Sequence, residues 1–307
     1  MFTFVVRRVL QSIPVIIGVS FIVFIMMHAI PGDPAVIMAG EAARPEQVEQ
    51  MRYNLGLNDP IIVQFLRYIT NAVRGDLGTS IRTARPVVNE IFDARFATTV
   101  QLAFMGTVVS VLLGLIIGIV SVAWRYSFVD TLLTLVALFG MSIPNFLLGV
   151  LLMFTFAVNF QLVPAAGWGT PQQAILPVIM LGISGATVIA RMTRASMMEV
   201  FNQDYIRTAY AKGASERIVT FRHALRNALI PVITVVGLQF GGLLAGAILT
   251  ENIFAINGMG RLVIDSIAAR DFPIAQGTIL IFSLLFMLVN MIVDVAYRVV
   301  NKRIDVN

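Results

Sequence analysis

Asp204, Tyr205, Arg207, Thr208 and Lys212, followed at once by Gly213, Ala214 and Ser215, place charges, hydroxyls and a chain-turning glycine within one short stretch. No nucleophile–base pair accompanies them, so the chemistry on offer is recognition rather than catalysis. The surrounding segment, Arg191–Ala228, is too polar to lie in lipid and too patterned to be a slack linker. Asp204 is placed to cap a helix over Tyr205–Lys212, Lys212 to complement its C-terminal dipole, and Gly213 to take the left-handed residue just past its end. Ser215 is placed to cap a second helix over Glu216–Asn227, in which Ile218, Phe221 and Leu225 share a stripe while Arg217 and Arg226 fall away from it. A helix–glycine–helix element with an apolar stripe beside basic residues suits the groove of a soluble partner. A loop of two self-satisfied helices is the plainer alternative.

Other chemistries are excluded by what the chain lacks. It has no cysteine, which removes disulfides, thiolate metal sites and cysteine nucleophiles together. Its 2 histidines, His28 and His223, form no His-Glu-x-x-His, and the pairs Gly32-Asp33 and Gly75-Asp76 lie outside the apolar runs, against an intramembrane protease. There is no G-x-x-x-x-G-K-[ST] loop to cradle ATP phosphates. The net charge of +5 sits mainly beside and between apolar runs, as membrane topology requires, and not in a nucleic-acid-binding patch. A helix-turn-helix reader tethered at both ends to spans could hardly enter a major groove.

The elements that must position this segment are membrane helices. With 58% hydrophobic and 13% charged residues in 307, the chain carries more apolar surface than one soluble core could bury. Runs long enough to cross a hydrocarbon core fall at about 9–30, 98–124, 130–157, 174–198, 229–250 and 277–300. The first is too long for a signal-peptide core and ends in His28-Ala29-Ile30-Pro31 with no small-x-small cleavage site, so it reads as an uncleaved span. Pro144 is expected to kink the third. Ser142, Asn145, Gln239 and Asn290 are polar residues inside spans, hence candidate pore residues or interhelical hydrogen-bonding groups.

Orientation follows from basic residues in short loops and flanks. Arg7, Arg8, Arg125, Arg191, Arg194, Arg207, Lys212, Arg217, Arg222, Arg226, Arg298, Lys302 and Arg303 lie to one side, against only Arg261 and Arg270 opposite. The expected division is a cytoplasmic N-terminus and first span over 1–30, a periplasmic cap over 31–97, a five-helix core over 98–300 carrying the polar segment 191–228, and a cytoplasmic tail over 301–307. Within the cap, helices are expected over Pro45–Leu55 and Pro60–Val73, the latter with Ile61, Phe65, Tyr68 and Ile69 on one face and ended by Gly75-Asp76-Leu77-Gly78. Asn257, Gly258, Met259 and Gly260 form a turn that could project on the same side as the cap.

Asp204-Tyr205-Ile206-Arg207-Thr208-Ala209-Tyr210-Ala211-Lys212-Gly213 and then His223-Ala224-Leu225-Arg226-Asn227-Ala228-Leu229-Ile230-Pro231 closely resemble the cytoplasmic signature of permeases of the dipeptide, oligopeptide, nickel and glutathione ABC importers. The broader superfamily has Glu-Ala-Ala, three residues and Gly. Here Arg207 and Thr208 replace Glu and the first Ala, while Ala209 and Gly213 match. Ile30-Pro31-Gly32-Asp33-Pro34, Leu55-Gly56-Leu57, Gly75-Asp76-Leu77-Gly78, Ser142-Ile143-Pro144 and Gly258-Met259-Gly260-Arg261-Leu262 look like the B-type permease subunit of the same family, in order and spacing.

The resemblance implies an all-α integral membrane protein of the type I importer kind, in a bacterial inner membrane with both termini cytoplasmic. It implies a second homologous permease, two ATPase subunits that bind ATP and magnesium, and an extracytoplasmic solute-binding protein, with no cofactor or catalysis in this chain. Asp204, Tyr205, Arg207, Thr208, Ala209, Lys212, Gly213, Ala214, Ser215, Arg226 and Asn227 would couple to the ATPases, and Asn257–Gly260 would meet the binding protein. Di- or oligopeptides are the implied cargo. A secondary transporter is the alternative, for which inverted repeats and buried ion-binding residues would be expected.

Overall fold

The computed structural model describes residues 2–29, 33–40 and 43–300. The first-span exit at Ile30-Pro31-Gly32 and the tail 301–307, with Lys302 and Arg303, lie outside the described residues. Helix dominates because lipid offers no hydrogen-bond partners, so each span must satisfy its own backbone. Among the described residues the only β pairing is an isolated antiparallel bridge between Thr79 and Pro86. Among the described residues five helices are long and apolar enough to cross a membrane, and a bent pair makes a sixth crossing when counted as one span. The chain separates into two compact units.

The first unit combines Met1–Thr99 with Asn257–Met287. It holds α1 (Phe2–Ala29), α2 (Pro34–Ala39), α3 (Pro45–Asn54), α4 (Ile61–Val73) and α5 (Val87–Phe92). The first helix begins at Phe2, so Arg7 and Arg8 lie within it rather than ahead of it. Asp33 caps α2 by accepting from Ala35 N at 2.9 Å and pairs with Arg52 of α3. Phe65 of α4 sits edge-on to Phe21 and Phe24 at 5.0 and 5.5 Å, while Ile61, expected on the same buried face, is exposed. The cap does not make its own core. Leu77, Val87 and Ile91 pack with Met259, Leu262, Ile274 and Leu280 of the later segments. Buried Asp271 reinforces this junction by accepting from Ser80 Oγ and from the Ile81 and Arg82 amides, the latter two at 3.2 Å.

The second unit combines Val100–Ile256 with Leu288–Asn307. It is built from α6 (Arg95–Ala123), α7 (Phe128–Ser142), α8 (Asn145–Leu152, continuing with wider π-type winding over Met153–Asn159), α9 (Pro171–Phe201), α10 (Asp204–Ala211), α11 (Glu216–Ile218) and α12 (Arg226–Ile253). Between Ile256 and this unit's last helical stretch come α13 (Met259–Ala268) and α14 (Phe272–Val300), the latter contributing its second half here. Pro144 does more than kink the third span: α7 and α8 meet at 101°. The residue before proline avoids the α region, and Ile143 takes ψ 120°, so the helix stops and restarts. Arg191 and Arg194, counted from sequence as loop charges, lie inside α9.

The α6–α9 crossing explains the small residues of both helices. Gly106, Ser110, Gly114 and Gly118 recur every four residues along α6 and face Leu181, Gly182, Ile189 and Thr193 of α9. Ser110 Oγ reaches the Gly182 carbonyl at 3.1 Å, and a Cβ at Gly185 would collide with that same Oγ. Such small-xxx-small stripes replace the hydrophobic driving force that helices lack in lipid.

Candidate functional site

The α9–α12 connection folds much as its residue types demand, with corrections at both caps. Gln203, not Asp204, occupies the cap position of α10, and Asp204 instead opens the helix, where its carboxylate still faces the positive end of the dipole. The C-terminus closes with the Gly213 amide donating to Tyr210 O at 2.9 Å and the Ala214 amide to Ala209 O at 3.2 Å. Gly213 has φ +81° and no atom within 4 Å of where a Cβ would stand, so backbone hand and not crowding calls for glycine. Ser215 precedes α11 with extended backbone, but its side chain makes no capping bond.

The second helix does not end at Asn227. After α11 the chain passes through π-type winding over Val219–Leu225 and straight into α12. That winding rotates the expected stripe: Val219, Thr220 and Ala224 are buried, while Ile218 and Phe221 are exposed. Ile206 and Ala209 of α10 pack with Val219, Ala224 and Ala228 and with Val122 and Met197 of the spans. Asn227 Nδ2 donates to Tyr205 Oη at 3.2 Å, tying α10 to the root of α12. Tyr205, Tyr210, Ile218 and Phe221 therefore stand exposed on one connected element with Arg207, Thr208, Lys212 and Arg226. A groove of about 340 Å³ opens beside it, lined by Glu199, Gln203, Tyr205, Asn227, Ile230 and Pro231.

Two of the four polar residues singled out within the spans, Asn145 and Gln239, meet the middle of α9. Asn145, restarting the helix after the break, accepts from Ser184 Oγ at 2.8 Å. Ser142, just before the break, bonds back to Leu138 O at 3.1 Å. Gln239 of α12 comes within 3.8 Å of the Cβ position at Gly185. Asn290 is elsewhere, with a buried Oδ1 that finds no hydrogen-bond partner among the described residues.

Sequence reasoning missed the line these residues belong to. Ser184, Thr187, Arg191 and Arg194 follow one another at helical spacing on a single face of α9. Asn145 meets Ser184, Gly140 backs onto Thr187, Met141 Sδ lies 3.0 Å from an Arg191 terminal nitrogen, and Asp130 receives Arg194. Asp130 is buried and accepts from Arg194 Nε and Nη2, both at 2.8 Å, from Ser121 Oγ and from the Tyr126 amide at 3.1 Å. The spacing was the available signal; counting both arginines as loop charges hid it. An adjoining cavity of about 540 Å³ is walled by Ser121, Thr134, Met141, Val188, Arg191 and Arg194 among others.

At Asn257–Gly260 the turn does not project. Met259 is fully buried in the first unit's core, its amide donating to Thr99 Oγ1 at 2.9 Å, and Gly258 and Gly260 are buried with it. Only Asn257 reaches the surface, where it accepts from Arg95 Nε at 3.2 Å. Met259 and Leu262 are core, so the stretch reads as a turn tip only while their partners on the cap are unknown.

Comparison with known proteins matches this architecture. Residues 1–103 fit the N-terminal membrane component of binding-protein-dependent transport systems, and residues 110–306 fit the binding-protein-dependent transport system inner membrane component. The glutathione transport system permease protein GsiC of Escherichia coli O6:H1 is 45% identical over 304 residues, covering 99% of each chain, as are GsiC of Escherichia coli K12 and of Salmonella paratyphi A. The fold is shared with the inward-facing MetNI methionine ABC transporter at TM-score 0.60 and 16% identity, over 67% of this chain and 94% of that one. An amino acid ABC transporter crystallised with histidines gives TM-score 0.52 at 16% identity, over 77% and 98%. The chain belongs to the family of binding-protein-dependent transport system inner membrane components, as a multi-pass permease subunit of an ABC importer whose ATP hydrolysis resides in separate subunits.

Proposed function

We propose that the chain forms half of the translocation pathway of an importer for glutathione and similar short peptides. A second homologous permease supplies the other half, two ATPase subunits bind ATP and magnesium, and a solute-binding protein delivers cargo from outside. The cargo class is supported by the 45% identity, over nearly the whole chain, to permeases named for glutathione, itself a tripeptide. The basic residues flanking the spans support cytoplasmic termini, a reading in which α10 and α11 meet the ATPases and the cap and Asn257 meet the binding protein.

One observation carries the coupling role. Exposed Ile218 and Phe221 sit on a helix that continues without interruption into α12, and α10, with exposed Tyr205, Tyr210, Arg207 and Lys212, packs on it and is tied to its Asn227. A displacement applied to α10 and α11 would therefore reach the fifth span as rigid helix movement.

Purification through a tag on this chain, co-expressed with its candidate partners, is expected to bring two ATPases and a second permease, and mass spectrometry of the binding protein to find a short peptide. Recovery of a chain that pumps alone, or labelling that places Gly213 outside the cell, would defeat the proposal. Gly213→Val is expected to lower cargo-stimulated ATPase activity and uptake at unchanged membrane level. A β-branched residue at φ +81° costs about 1–2 kcal/mol, roughly tenfold in the population of the native turn. Wild-type coupling in that variant would remove Gly213 from the mechanism.

A further inference from the structure

The cavity beside α9 contains two guanidinium groups in very different situations. Arg194 is saturated by Asp130 and Ser121. Arg191, one helical turn away on the same face, has no carboxylate within ion-pair distance among the described residues, and its guanidinium donates to a thioether sulfur, that of Met141, at 3.0 Å. A thioether is a weak acceptor and leaves most of a guanidinium's donors unspent. Arg191 also lies ten residues, about 15 Å of helix axis, inside the α9 terminus at Phe201. Arg191 is exposed on this chain and lines the cavity without a counter-charge, and ionisable residues of membrane proteins that face a cavity in this way mark the paths of charged solutes.

The surroundings suit a small solute. The cavity measures about 540 Å³ and is walled largely by Ile117, Leu133, Ala137, Val188 and Val235, with few polar groups to fix orientation. That combination of size and lining is usual for small-molecule sites. Beyond Met141 lies the α7–α8 break, where Ser142 and Asn145 add neutral polar groups on the way to Ser184.

We propose that Arg191 is a transit site for a carboxylate of the passing solute, a role that rests on the peptide-import reading above. The guanidinium binds the carboxylate by paired N–H donors, displacing the Met141 sulfur, while the Arg194–Asp130 pair stays closed and keeps a second cation from trapping the cargo. The occupant is an oxyanion, so a lipid phosphate is the competing source.

The absence of cysteine makes the test direct, because Met141→Cys is then the single thiol of this chain. In the complete transporter complex, held in phosphatidylcholine vesicles, labelling of this chain is followed by its mass. Anionic sulfonatoethyl methanethiosulfonate is expected to react about tenfold faster than the cationic trimethylammonioethyl reagent, since a cationic cleft concentrates anions by at least that factor. Adding Arg191→Gln should abolish the preference. Trialanine should slow labelling, and trialaninamide, which lacks the carboxylate, should not.

Equal rates for the two reagents, a preference that survives Arg191→Gln, or equal protection by acid and amide each overturns the assignment. Loss of trialanine protection when phosphatidylglycerol is mixed into the vesicles assigns the site to a lipid headgroup instead, and also overturns it. Labelling needs neither ATP nor uptake. A complex that shows acid-selective protection yet imports no peptide would uphold this site while defeating the proposed cargo.

Discussion

Asp130→Ala is expected to strip the permease from the membrane fraction and to lower the melting temperature of whatever complex remains. The carboxylate is buried and gathers Arg194, Ser121 and the Tyr126 amide at the start of α7. Removing it leaves a guanidinium inside the bundle with nothing to neutralise it, a change that costs about 3–5 kcal/mol for a fully buried pair. The lower end applies here, because the Arg194 side chain is 34% exposed and solvent takes up part of the charge. Asp130→Leu combined with Arg194→Met should recover most of the loss, since apolar side chains of similar volume often replace a buried pair without penalty. Full expression and an unchanged melting temperature for Asp130→Ala alone would show that this pair does not hold α7 to α9.

Gly114→Val should be comparably severe for a steric reason. A Cβ at Gly114 would stand 2.6 Å from Ile189 Cβ and 2.9 Å from the Ala186 carbonyl oxygen. A backbone oxygen cannot swing aside, so α6 and α9 would have to separate along the whole crossing. A single added methyl in a close-packed interior costs about 1–3 kcal/mol, and valine adds two more groups to the same clash. Leu112→Val, on a neighbouring face of α6 that is 56% exposed, is the control and should be silent. Gly114→Ala should be partly relieved by Ile189→Ala, which clears the nearest side chain but not the carbonyl. Normal assembly of Gly114→Val would mean that the crossing is looser than these distances allow.

The spans were legible because runs of apolar residues of the right length have no other stable use: five of the six runs located from composition each fall on one helix, and the third falls on the bent α7–α8 pair. Gly213 was legible for a local reason: a helix that must stop and turn needs a residue tolerant of positive φ, and φ there is +81°. The path after it was not. Val219–Leu225 adopts π-type winding, which alters the periodicity on which the Ile218, Phe221, Leu225 stripe was assigned, and propensity carries no warning of such winding. Met259 was misread for the opposite reason, since its environment is made by Leu77, Val87 and Ile91 from far earlier in the chain. The α9 polar line lay in plain view at helical spacing, yet the positive-inside rule gave Arg191 and Arg194 a sufficient explanation before their depth in the helix was known.

The crowding of α9 bears on how the protein is made. In its most apolar stretch 61% of residues are enclosed by other parts of the chain, against 11% for α1, while its hydropathy of 1.9 falls below the 2.4 of that first helix. The helix that relies most on companions is thus one that oil alone rewards less. Its residence in the bilayer is expected to depend on α6 and α7 being already in place to receive its glycines and its arginine, which makes their emergence from the ribosome ahead of it an advantage during biogenesis.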